Sequence, residues 1–174
     1  PVEVEGPAGA SDPRATVCEA LGEVLVRWGP TDARTYDLAT GAERRRLAEG
    51  LTVLAAAYAA DGSRRALCVQ RDAAPVQVVV ADGRSGATTA TLDLDATVAL
   101  LLPRDGSAVI AVDRTKAVCA ELLSRPRLVP LRGHRYTIAQ ASLSPDGTRL
   151  ATASHDMSAR VWALRPANER RGLV

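Results

Sequence analysis

Residues 131–162 read LRGHRYTIAQASLSPDGTRLATASHDMSARVW, and this stretch decides the fold. An apolar run opening at Thr137-Ile138 leads to the turn pair Asp146-Gly147, and a second run, Leu150 to Ser154, follows it. After Asp156 comes a third run, ending at Val161-Trp162. Short apolar runs joined by Asp-Gly read as hairpin strands, because glycine reaches positive φ without steric cost.

Working outward, the pattern recurs toward the N-terminus. Asp61-Gly62 and Asp105-Gly106 precede similar runs, and Leu21-Gly22 holds the same place earlier still. The turn glycines Gly22, Gly62, Gly106 and Gly147 are 40, 44 and 41 residues apart. Thr16-Val17, Thr52-Val53 and Thr97-Val98 open the runs before them, and Val24 to Trp28, Ala66 to Val69 and Ala108 to Val112 follow. A second register agrees: Tyr36-Asp37-Leu38 with Glu43-Arg44-Arg45 overlies Trp162-Ala163-Leu164 with Glu169-Arg170-Arg171 at a constant offset of 126 residues. No stretch sustains a helical period, and Val53 to Tyr58 is too short for one. The expectation is an all-β chain of four repeats, approximately 1–41, 42–86, 87–127 and 128–174. Repeats of about 40–45 residues with four short strands each are the pattern of propeller blades.

Composition bounds the rest. The 174 residues are 47% hydrophobic and 24% charged, a globular balance with a net charge of +2. Phe is absent and aromatics are 3%, so the core must come from Ala, Val and Leu. Low net charge and few stacking rings disfavour nucleic-acid binding. The longest apolar runs, such as Thr97 to Leu102, are far too short to span a bilayer as a helix. The opening PVEVEG has no signal-peptide pattern, and the start at Pro1 reads as a cut from a longer chain. Cys18, Cys68 and Cys119 are far apart, without CxxC or neighbouring His, and read as small buried hydrophobes of a reducing compartment.

The stretch 131–162, with Gly133-His134, Ser144-Pro145-Asp146-Gly147, Leu150 to Ser154, Asp156 and Val161-Trp162, resembles a WD40 repeat. It departs at Ala163, where the family has Asp. The first repeat keeps Tyr36-Asp37, while the second and third keep the Asp-Gly turn but lack the Gly-His pair and the aromatic-Asp ending. The resemblance implies that each repeat starts with the outer strand of one blade and continues with three strands of the next. Outer strands are then expected at Pro1 to Glu5, Arg44 to Leu47, Thr88 to Leu94, Leu128 to Leu131 and Gly172 to Val174. Seven blades at this repeat length need about 290 residues. The expectation is therefore a partial propeller of about four blades, the C-terminal part of a larger protein, whose missing blades come from the same chain or a second copy.

His134, Ser154 and Asp156 contain the residue types of a hydrolytic triad. No GxSxG elbow accompanies them. The resemblance implies instead that His134, Ser154, Asp156 and Trp162 form a structural hydrogen-bond network within the blade. Arg135, Tyr136 and His155 fall on loops that, by the same resemblance, face a ligand, and form the candidate partner-binding surface. Arg44-Arg45-Arg46, Arg64-Arg65 and Arg170-Arg171 suggest phosphate contacts, but flanking Glu43 and Glu169 favour solubilised strand edges. Asp93 and Asp95 alternate with Leu, as on one face of a strand, and lack a calcium-loop pattern. No P-loop or dinucleotide fingerprint occurs. No catalytic residue, cofactor or metal is expected.

The implied function is a non-enzymatic scaffold or interaction module, cytoplasmic and of bacterial type, which binds protein or peptide partners through blade loops. Two alternatives stand beside it: a sensor or docking module of an upstream signalling NTPase or Ser/Thr kinase, and a weak nucleic-acid binder using the Arg clusters.

Overall fold

The computed structural model describes residues 4, 6–7, 13–94, 99–112, 117–121 and 127–164, with backbone alone for 117–121 and 127–130. It is all-β, with four antiparallel sheets in chain order and, among the described residues, no α-helix. The first sheet is β1 (Arg14–Cys18), β2 (Glu23–Arg27), β3 (Ala33–Asp37) and β4 (Glu43–Leu47), each paired with the next. The second is β5 (Thr52–Tyr58), β6 (Arg64–Gln70), β7 (Val76–Asp82) and β8 (Thr88–Leu94). The third is β9 (Ala99–Leu101), β10 (Ala108–Val112), β11 (Ala117–Glu121) and β12 (Arg127–Leu131). The last has β13 (Ile138–Leu143), β14 (Arg149–Ser154) and β15 (Ala159–Ala163). No sheet closes on itself. The expected outer segments at 44–47, 88–94 and 128–131 are the fourth strands of their sheets, with Pro130 on an outermost strand that tolerates its missing N–H. Those at Pro1 to Glu5 and Gly172 to Val174 lie, apart from Val4, outside the described residues.

The four repeat turns share one geometry. Gly22, Gly62, Gly106 and Gly147 have φ of 57°, 73°, 61° and 70°. Each donates its N–H to the carbonyl three residues back, Glu19, Ala59, Pro103 and Ser144 respectively. Asp61, Asp105 and Asp146 each accept the N–H two residues on, from Ser63, Ser107 and Thr148. Leu21, which replaces that Asp, ends a short 3-10 turn, Glu19–Leu21.

Alternation then places the core between sheets. Along β6, Leu67 and Val69 pack with Leu25, Ala33 and Leu47 of the first sheet. Ala66 and Cys68 point the other way, toward Leu100, Val109 and Ala111 of the third. Along β10, Ala108, Ile110 and Val112 meet Ile138 and Leu150 of the last sheet. Three interfaces thus join four sheets in series, and the first strands β1, β5, β9 and β13 lie beside one another in that order. Cys18 and Cys68 are buried in these interfaces, while the Cys119 side chain lies outside the described residues. Among the described residues no helix is long and apolar enough to cross a membrane.

Candidate functional site

The last sheet brings together most of the residues singled out in the sequence. Its two loops at one end are the segment 132–137 before β13 and the β14–β15 loop, 155–158. His134 lies in the first and Asp156 in the second. His134 Nδ1 is 3.0 Å from Asp156 Oδ2, and the backbone N–H of Arg135 donates to the same oxygen at 2.9 Å. His134 Nε2 is 2.8 Å from Thr152 Oγ1, which also accepts the indole N–H of Trp162 at 2.9 Å. A carboxylate can only accept, so the imidazole proton sits on Nδ1, and the Thr152 hydroxyl donates to Nε2. Every member has a partner, which is the condition for a buried polar chain to stabilise. The His134 ring also meets Trp162 edge-on, with centroids 6.3 Å apart.

Ser154 is a correction: Thr152, not Ser154, stands between the imidazole and the indole. Residues 150, 152 and 154 share one face of β14, so alternation cannot separate the two hydroxyls. Ser154 instead donates to the Tyr136 carbonyl at 2.9 Å and accepts the Asp156 N–H at 3.1 Å. It fastens the two loops from the other side. The Asp156 carboxyl is held well below the usual carboxylate range, chiefly by the Ser158 hydroxyl and the Arg135 N–H, with His134 adding to both.

Around this link, Arg135, Tyr136 and His155 are all exposed, Tyr136 to 65%. Met157 joins them at 98% exposure, in the left-handed region at φ 62°. Sequence reasoning passed over Met157, although an apolar residue inside a polar turn was the available signal.

Of the basic clusters, Arg44-Arg45-Arg46 lies exposed on the outer strand β4, but Arg64-Arg65 is a second correction. Arg65 is buried on β6, with Nη1 3.8 Å from Glu23 Oε1 across the interface between the first two sheets. Tyr58 donates to Glu23, and burial beside that carboxylate pushes the phenol well above its ordinary value. An edge role fails for Arg65 because β6 lies inside its sheet. Arg44 pairs with Asp37, Arg46 with Glu43, and Arg45 donates to the carbonyls of Arg84 and Ser85 in the second sheet. Arg64 donates to Thr89 Oγ1 at 3.1 Å. Arg170 and Arg171 lie outside the described residues. Among the described residues, no group of three His, Cys, Asp or Glu side chains is placed to hold a metal.

No protein-family model matches the chain. Among curated proteins, Enhancer of mRNA-decapping protein 4 of Danio rerio is 50% identical to it over 36 residues. That match covers 21% of this chain, and the chain spans only 3% of that protein's length.

Proposed function

We propose that this chain is a non-enzymatic WD40-type interaction module, an arc of blades that binds a protein or peptide partner through the loops of its last sheet. The observation that carries this reading is the contrast within those loops. The His134 side chain is 1% exposed and spends both ring nitrogens on internal partners, while Arg135, Tyr136, His155 and Met157 stand out into solvent around it. A rigid buried link beneath a cluster of aromatic, thioether and guanidinium side chains is the arrangement of a contact surface. A buried imidazole suits bracing better than proton transfer to a substrate. The partial match to a larger curated protein and the repeat pattern support an interaction role of this general kind.

The test is affinity capture followed by titration of the purified partner. A partner held by the native chain should bind the Tyr136→Ala/Met157→Ala variant at least about tenfold more weakly, with unchanged thermal stability. Equal binding of every captured partner by this variant overturns the assignment of the surface.

A further inference from the structure

The second sheet is open where the last sheet is closed. In the last sheet, the Asp156 carboxylate joins the segment before the first strand to the loop between the second and third. In the second sheet the corresponding segments are residues 48–51 and 71–75, at the same end of the strands. Neither holds a His, and among the described residues no hydrogen bond connects them. A cleft of about 460 Å3 opens there. That volume is within the range of about 300–1,000 Å3 usual for ligand pockets.

Its chemistry is two-sided. Leu51, Val69, Ala74 and Pro75 supply apolar lining. Arg71 and Asp93 supply opposite charges, yet they form no ion pair with each other. Among the described residues the Arg71 guanidinium has no hydrogen-bond partner, and Asp93 has one oxygen fixed by the Gln77 amide at 2.8 Å and the other unpartnered. Asp72, exposed beside Arg71 with φ 47°, and exposed Glu49 of the 48–51 segment leave the rim with two more negative than positive charges. That balance repels a polyanion such as nucleic acid, and a short apolar lining with charges at its margin does not suit a long acyl chain.

We infer that this cleft is a second binding site, one for a peptide segment in which an aliphatic residue lies between an acidic and a basic one. The aliphatic side chain seats on Leu51, Val69 and Pro75, the acidic neighbour meets Arg71, and the basic neighbour meets Asp93. The site is independent of the Tyr136 surface.

The probes are two end-blocked pentapeptides, Gly-Glu-Leu-Lys-Gly and Gly-Lys-Leu-Glu-Gly, titrated into the 15N-labelled full chain. One order should shift the amide resonances of Arg71, Ala74, Gln77 and Asp93, and a Gln-Leu-Gln analogue should bind more weakly. Arg71→Glu should weaken the preferred peptide about tenfold, and the exposed double swap Arg71→Glu/Asp93→Arg should invert the preference between the two orders. Tyr136→Ala should leave this binding unchanged, which separates the cleft from the partner surface. Absence of shifts at these four amides at millimolar peptide, or a preference unaltered by the double swap, overturns the proposal.

Discussion

Thr152 and Ser154 are two hydroxyls on one face of one strand, and the structure makes opposite predictions for them. Thr152→Val strands the Trp162 N–H and deprives His134 Nε2 of its donor, so it should cost about 1–3 kcal/mol. Ser154→Ala removes bonds of a more exposed loop and should cost less than about 1 kcal/mol. Urea unfolding of both variants beside His134→Ala checks the order, with His134→Ala grouping with Thr152→Val. Asp156 adds a pH signature. Its folded-state pKa lies below the unfolded value of about 3.9. The stability it contributes is therefore complete at neutral pH, begins to fall as the pH drops below that unfolded value, and is gone below the folded one. Asp156→Asn should accordingly remove part of the loss of stability between pH 5 and pH 2, as read from the urea midpoint at each pH.

At the scale of strands and turns, the repeated Asp-Gly reverses the chain and also sets the spacing between neighbouring sheets. A Cβ on Gly62 would come within 2.8 Å of Leu21 Cγ, and one on Gly147 within 3.0 Å of the Pro103 Cβ. Gly62, Gly106 and Gly147 therefore each admit the turn region of the sheet before them. Gly50 has the same φ of 73° as Gly62 but nothing within 4 Å of its Cβ position. Gly50→Ala should cost only the left-handed backbone penalty of about 1–2 kcal/mol. Gly62→Ala should cost clearly more, and the difference, measured by thermal or urea unfolding, reports the contact between sheets. A second turn also repeats: Asp37 and Asp82 each accept from the backbone N–H groups two and three residues on, and from the hydroxyls of Thr40 and Ser85. The aromatic before Asp82 is missing, which hid this likeness in the sequence, although the turn chemistry is unchanged.

For the whole molecule, serial packing leaves its mark on the last sheet. Leu150 and Thr152 face the third sheet and are buried, while Ala151, Ala153 and Ala159 on the opposite face are exposed, with Val161 at 69%. An apolar sheet face in water favours association. Sedimentation velocity across a concentration series should show self-association of the chain, and Val161→Lys should reduce it. The same packing is built mostly from small and aliphatic residues: Ala59, Ala66 and Cys68 are completely buried, and Tyr58 and Trp162 are the rings that enter the clusters between sheets.

By itself the sequence determined the strands, the turns and their spacing, because Asp-Gly chemistry and two-residue alternation are local properties of the backbone. The resemblance of residues 131–162 to a WD40 repeat implied in addition that His134, Asp156 and Trp162 meet in one sheet. What only the tertiary structure decided is depth and adjacency. Which of Thr152 and Ser154 meets the imidazole, why Arg65 is buried against Glu23 while Arg46 is not, and where the cleft beside Leu51 and Arg71 lies all depend on the position of the neighbouring sheet or loop. Alternation assigns a residue to a face, and the packing of one sheet on the next decides what that face meets.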